Sequence, residues 1–556
     1  MSGFAMAAFL SMSLGQVEPN YWQQWNQFGP FDMPGDVRRA PPKGPVNGRP
    51  PLPGDGFESW DWRLDPFPTL QPPTFRRVYP TRPMPIQPGR GRYNAGEAVR
   101  LSLSNLAPDS PTLRSYRKAL AAMRKLPADD PHSLIFQANI HGYPATQNPD
   151  PTWGQCQHGN WWFLPWHRMY VHCFEKIVRK YAEDPTFAMP YWDYSVDRAL
   201  PAAFRDPASE LYDSSRLAAV NSGTDQLSTS VVVDGLTASL ANTVFADFGP
   251  VSTFGGQALN APAHRSTPHG TLEAVPHDVV HTFVGGNLAL VDTAARDPIF
   301  FCHHANVDRL WVVWLRMGQG RANSANDAWL NQSFTFYDEN KKKIDITVRQ
   351  ILDPSALGYT YDVPVPPAPS PSPPVPPAPT PPAPTPGPSP TPPSTPAPKT
   401  AVETVAILKT GNVALRQDPV VLTMVVPDSS RLKAGAMRKR LTPGQTNQIF
   451  LQLNEAHFAG VPDSTVAVYL NLPPNSSIPG PRSPYFAGYF TFFGDHHNEG
   501  YTCRLDVTRQ LAQLWQTDTA RPASFRVTLV RSSPGIMPRD FRAPITFKEI
   551  SLSVTK

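Results

Sequence analysis

The residues best suited to chemistry in this chain are its histidines. There are 14, and most lie between His141 and His304. His277 and His281 stand four apart, so on a helix both imidazoles project from one face and can grip one metal ion. Such a pair alone is as readily explained by core packing. The other histidines add weight: His141 closes the apolar segment SLIFQANIH, His167 falls in the first turns of a predicted helix, and His304 opens another. They divide into an upstream set, His141, His158 and His167, and a downstream set, His277, His281 and His304. Helices that each send histidines inward are how a bundle builds a two-metal core site. All-imidazole ligation suits copper, zinc or iron rather than the oxygen-seeking magnesium or calcium. Three donors plus three suggest two equivalent ions, and a pair of three-coordinate coppers with open faces can take dioxygen between them.

Periodicity predicts the elements that must hold these side chains. TLRSYRKALAAMRKL (112–126) has helical spacing, and FLPWHRMYVHCFEKIVRKYAE (163–183) reads as a long helix with Pro165 tolerated in its first turn. PHDVVHTFVGG runs from Pro276 to Gly285 as a short helix, and ANVDRLWVVWLRMGQG (305–320) is a further helix ending in glycines. Residues 205–265, rich in Ser, Thr and Ala, are expected to be loop. After residue 400 the period changes. VAVYLNL, YFAGYFTFF, SFRVTLV and ITFKEISLSV read as short strands of a β-sandwich, with one helix-like piece near 505–515.

At 556 residues the chain has room for two or three domains. Its 68 prolines are about 12%, against a usual share of about 5%. From Pro364 to Pro398, 20 of 35 residues are proline, a composition that cannot pack a core and reads as a polyproline II linker. The expected division is an irregular Pro- and Trp-rich arm at 1–84, a mainly α catalytic domain at 85–363 built on a four-helix bundle, the linker at 364–399, and the all-β sandwich at 400–556. The net charge of 50 − 45 = +5 carries no long basic run, so nucleic acid is not an expected partner. Cys156, Cys173, Cys302 and Cys503 show no CxxC spacing, which excludes a cysteine-type zinc module. No apolar run is long enough for a transmembrane helix. FAMAAFLSMSLG lacks the basic start of a signal peptide, leaving the compartment open between cytoplasmic and weakly secreted. The oligomeric state is not legible.

HGNWWFLPWHRMYVHCFE (158–175) resembles the first copper signature of the tyrosinase family, and DPIFFCHHANVDRLW (297–311) resembles the second. MRKLPADDPHSLIFQANIH, GTLEAVPHDVVH and LGYTY are similar to the catalytic domain of plant polyphenol oxidases, and YFAGYFTFF with RLDVTRQL to their C-terminal shielding domain. The resemblance implies a type-3 dicopper centre, with His141, His158 and His167 on copper A and His277, His281 and His304 on copper B. His303 is turned about 100° from His304 on a helix and is expected outside the ligand set, and His172 as a packed core residue. Cys156, two residues before His158, matches the cysteine that fungal tyrosinases and molluscan hemocyanins join to the histidine ring as a thioether. Glu273 matches the family's water-holding glutamate, able to act as a base toward a phenol. Asp278, after His277, stands where the family links residue type to monophenol activity, or serves to orient a ligand imidazole. Val291 falls where a gate residue would stand over the substrate entrance. Tyr359 and Tyr361 match a structural tyrosine motif, with Arg100 a candidate partner. His496 and His497 are expected in a solvated turn.

The resemblance implies a copper oxidoreductase that uses dioxygen as co-substrate to turn small phenolic substrates, o-diphenols, into o-quinones, and also hydroxylates monophenols. It implies a latent enzyme whose C-terminal domain inserts a plug, for which Ile478, Tyr485 and Phe486 in LPPNSSIPGPRSPYF are the candidates. The alternatives are a catechol oxidase without monophenolase activity and a hemocyanin-like oxygen carrier.

Overall fold

The computed structural model describes residues 98–362, apart from 144–148, 249–252 and 264–268. It also describes 402–555, apart from 426–448, 459–463, 481–482, 494–500, 509, 512–523, 538, 540 and 542–543. The expected N-terminal arm, the Pro-rich linker and the pair His496 and His497 lie outside the described residues.

The first body is mainly helical. Ser110 accepts from the Leu113 amide and Pro111 takes the first helical position, so α1 (Pro111–Met123) starts where its sequence requires. Ser133 caps α2 (Leu134–His141) through the Phe136 amide. The long α3 (Phe163–Ala182) packs on α1 and on α7 (Ile299–Arg316). Between them come short α4 (Ala218–Asn221), α5 (Leu236–Ala241) and α6 (Val279–Val284), with α8 (Asp327–Asn331) following. The last of the predicted helices starts six residues early, at Ile299. Phe300, Phe301 and Cys302 belong to its buried face and not to a preceding loop. Residues 230–241, expected as loop, are helical, with Val231, Val232, Leu236 and Leu240 buried. Their Ser and Thr content hid a core-facing stripe.

Two small sheets flank the helices: β1 (Ala98–Arg100) runs parallel to β4 (Tyr359–Tyr361), and β2 (Ser333–Tyr337) pairs antiparallel with β3 (Lys343–Thr347). The β1–β4 pair is fastened to α3 and α7 through one buried carboxylate. Asp308 of α7 accepts from Tyr359 Oη at 2.6 Å, Tyr361 Oη at 2.5 Å and Arg100 at 3.2 Å, and also from Arg168 of α3. Arg100 in turn pairs with Glu175 of α3 at 2.8 Å. Burial raises the pKa of a carboxyl group, yet the Arg168 and Arg100 guanidiniums hold Asp308 below its ordinary value.

The second body is β-rich. It contains β5 (Val402–Leu415), β6 (Val420–Val425), β7 (Ile449–His457), β8 (Thr465–Leu470), β9 (Phe486–Phe490), β10 (Tyr501–Asp506), β11 (Ser524–Ser532) and β12 (Ile545–Thr555). They form two antiparallel four-stranded sheets, ordered β10-β7-β12-β5 and β6-β11-β8-β9. Ile449, Leu451 and Leu453 from one sheet and Val466, Val468, Val527 and Leu529 from the other share a single buried core, the period-two pattern of strands with one inward face. β10 ends at Asp506, and residues 508, 510 and 511 are helical, with the Leu511 amide donating to Val507 O at 2.9 Å, where the helix-like piece near 505–515 is expected.

Among the described residues this body meets the helical one around residues 534–539 and just beyond β9. Pro534 O accepts from the Ser228 amide and Gln226 O from the Ile536 amide, while Arg539 donates to the carbonyls of Thr282 and Phe283 that end α6. Beyond β9, residues 491–493 leave the sheet, and Phe493 joins the core of the helical body.

Breaking the buried ion network leaves charges unpaired. Asp308→Ala should therefore lower unfolding free energy by about 3–5 kcal/mol, read by denaturant titration. An exposed change such as Glu183→Ala should leave the midpoint almost unmoved.

Candidate metal centre

Six imidazoles meet at the centre of the helical body, each buried. His141 is the last residue of α2, His158 lies in the loop before α3, His167 is in the second turn of α3, His277 and His281 flank the start of α6 and its middle, and His304 is on α7. His141, His158 and His167 form one triangle, with ring centroids 5.4, 5.5 and 5.2 Å apart. His277, His281 and His304 form another, at 4.5, 5.0 and 5.7 Å. The triangles touch where His167 stacks on His304 at 4.2 Å with the rings 8° from parallel.

Hydrogen bonds fix which nitrogen faces inward for four of these rings. His141 Nδ1 lies 3.0 Å from Val291 O, His167 Nδ1 2.8 Å from Phe163 O, and His281 Nδ1 2.6 Å from Leu288 O. A carbonyl oxygen only accepts, so Nδ1 must carry the proton and Nε2 must present a lone pair. His277 Nδ1 is held in the same way by Asp278 Oδ1 at 2.8 Å. His277, His281 and His304 Nε2 are buried and have no hydrogen-bond partner among the described residues. Burial, reinforced by neighbouring histidines, holds these three imidazoles well below their ordinary pKa, so they are neutral as metal ligation requires. Buried neutral rings with oriented lone pairs fit a metal site.

Gly142 makes one of these anchors possible. A Cβ there would stand 2.3 Å from Val291 O, so only glycine lets that carbonyl reach His141. Val291 thus supports a ring from its Nδ1 side, opposite the lone pair, and is 5% exposed within the core. That placement corrects the expectation of a gate over the entrance. The loop between His281 and α7 folds back under the histidines and not across them.

His303 is not turned away from the cluster. Its ligating nitrogen lies within 4.8 Å of those of His277, His281 and His304, and its ring is stacked at 5.2 Å on His277. A rotation of 100° along α7 points it at α6 while His304 points at α3, because both neighbours carry histidines. His172 sits apart, against Tyr359. Cys156 Sγ falls within 4.8 Å of the ligating nitrogens of His141 and His158. Glu273 is buried and takes the Gly159 amide at 2.9 Å through Oε1, and among the described residues Oε2 has no hydrogen-bond partner. Burial pushes its carboxyl up to about 8, with nearby His269 pulling the other way.

The plug is the largest difference from expectation. Ile478 is 40% exposed, and Tyr485 and Phe486 pack on Ala467, Tyr469 and Leu472 inside the β-rich body. Phe493 instead lies over the histidines, stacked on His281 at 3.8 Å and edge-on to His277 at 5.3 Å and His158 at 5.4 Å. Two residues earlier, Thr491 Oγ1 donates to Asp278 Oδ2 at 2.6 Å. The loop 472–486 keeps its aromatic side chains because its own sheet offers them a pocket. In the TFF that follows β9, Phe492 packs back on Phe458 and Phe490, while Thr491 and Phe493 face the helical body. The sequence motif YFAGYFTFF contained the signal, as bulky residues continuing past the end of the alternation. His269, eight residues before His277 and four before Glu273, also escaped the sequence reading although the structure sets it beside both Glu273 and Asp278.

Comparison with known proteins places these features in context. Residues 131–242 and 215–317 match the common central domain of tyrosinase, 323–370 the polyphenol oxidase middle domain, and 402–552 a domain of unknown function. Polyphenol oxidase A1, chloroplastic, from Vicia faba is 33% identical over 301 residues, covering 49% of this chain and 49% of that protein. Tyrosinase HcTyr1 from Hahella sp. is 35% identical over 285 residues, covering 45% of this chain and 60% of that protein. The chain spans about half the length of the curated relatives it matches. The structure of latent apple tyrosinase aligns with a TM-score of 0.56 and 26% identity, over 84% of this chain and 98% of that one. The sequence-based expectation of a cytoplasmic or weakly secreted chain is overturned by these relatives, since the Vicia faba protein is chloroplastic by name.

Copper added to metal-free protein should bind as a pair, and His281→Ala or His167→Ala should each lower the copper content measured by atomic absorption. After copper loading in air, the peptide containing Cys156 and His158 should be lighter by the two hydrogens lost on forming a carbon–sulfur bond. Cys156→Ser should abolish that mass change.

Proposed function

The chain belongs to the tyrosinase and polyphenol oxidase family, and from that premise we propose that it oxidises o-diphenols to o-quinones with dioxygen and also hydroxylates monophenols at the ortho position. The observation that carries this reading is the pair of touching histidine triangles with oriented rings. His141, His158 and His167 would hold one copper ion and His277, His281 and His304 the other, in a bundle of α2, α3, α6 and α7. Bound copper supplies the electron transfer with dioxygen that no side chain here can perform. The catalytic domain would span 85–363, with the arm at 1–84 before it and the linker at 364–399 joining it to a shielding domain at 400–556.

The protein's own groups bind, orient and move protons. The face of His281 that Phe493 now covers is where an aromatic substrate ring would stack. Glu273, raised to about 8 by burial, is a stronger base than an ordinary carboxylate and so better matched to a phenolic hydroxyl. Its Oε2 is the atom available to take that proton. Asp278 holds His277 by Nδ1, and a thioether from Cys156 would fix the His158 ring. The apolar walls formed by Phe163 and Phe300 exclude water.

Latency follows from the same geometry. Phe493 fills the substrate position, and Thr491 and Arg539 help hold the shield on. A second reading, the oxygen carrier, draws on that same covered site. Phe493→Ala in the full-length, copper-loaded chain separates the two. Oxygen uptake with a catechol should rise at least severalfold over the unsubstituted chain and vanish with His277→Ala. Uptake absent with both catechol and monophenol, beside reversible oxygen binding, would favour the carrier. Glu273→Gln should reduce monophenol turnover by about 100-fold or more, the scale of a lost general base.

A further inference from the structure

We propose that His269 is a positioning residue for the histidine cluster: its Nδ1–H holds the Asp278 carboxylate so that Asp278 in turn holds His277. This rests on the copper reading above. His269 lies on the short approach to Glu273, and its side chain is 7% exposed. Nδ1 stands 2.7 Å from Asp278 Oδ2 and 3.7 Å from Glu273 Oε1. A carboxylate oxygen accepts, so Nδ1 is the donor to Asp278, while Glu273 lies beyond hydrogen-bond reach. The other Asp278 oxygen receives His277 Nδ1–H at 2.8 Å. The result is a relay of fixed orientation from His269 through Asp278 to His277, whose Nε2 then faces the cluster.

Asp278 is fully buried, and its hydrogen-bond donors are His277, His269 and Thr491. A buried carboxylate needs such donors to offset lost hydration. Thr491 belongs to the β-rich body and departs with it when the shield is displaced. His269 then remains as the donor on Oδ2 from the helical body. Without it, the carboxylate is free to turn and His277 loses its fixed tautomer. His269 therefore matters most in the uncovered state, and Thr491 substitutes for part of its role in the covered one.

The test is the rate at which a soluble chelator strips copper from the full-length chain, in the parent and in a Thr491→Val background. Asparagine places its amide nitrogen where His Nδ1 stands, whereas glutamine places it one carbon further out. His269→Leu and His269→Gln should speed the loss of one ion of the pair by about tenfold or more, the usual cost of removing a partner of a ligand histidine. His269→Asn should lose copper more slowly than either, and the gap should widen with Thr491→Val. Asn and Gln variants of similar polarity and equal thermal midpoints make the comparison independent of folding. Equal rates for Asn and Gln, or a Leu variant indistinguishable from the parent, would overturn the assignment. A parent chain that takes up no copper at all would overturn the copper reading itself, and this inference with it.

Discussion

The Asp308 carboxylate is the interaction on which the rest depends. It lies on α7 one turn beyond His304, while Arg168, which it grips, directly follows His167 on α3. Joining these two residues sets α3 against α7 in the register that stacks His167 on His304 at 4.2 Å, the shortest of the ring contacts between the two histidine triangles among the described residues. Arg100, Tyr359 and Tyr361 close the same knot from the β1–β4 pair, so the strands on either side of the helical body serve to pin its centre. A buried charge fully paired is costly to disturb in either direction, which suits a device that must hold distances constant.

The second constraint is that imidazoles destined for a metal must be neutral and turned the right way. Burial secures the first. Backbone carbonyls secure the second, through Val291, Phe163 and Leu288, because they can only accept. A carboxylate does the same for His277, and that choice brings in a longer chain of partners, His269 and Thr491, which a carbonyl would not need. The ring held by the most adjustable support is thus also the one linked to the β-rich body. Coupling between shield and site passes through Asp278 as well as through the ring of Phe493.

Much of this was legible in the sequence. The segment SLIFQANIH, the spacing in PHDVVH and the two signatures placed His141, His158, His167, His277, His281 and His304 in two sets, the change of period after residue 400 separated helices from strands, and Pro165 and Gly285 marked helix ends. These features are local: a spacing, a cap or an alternation is decided by neighbours in the chain, so the sequence alone determined them. What only the tertiary structure decided is which side chain from a distant segment fills a given space. Phe493 rather than Ile478, Tyr485 or Phe486 covers the histidines, Val291 reaches His141 by its carbonyl and not its side chain, His303 faces α6, and His269 finds Asp278. Each depends on two surfaces being brought into contact across many residues of chain, which no local spacing or alternation encodes.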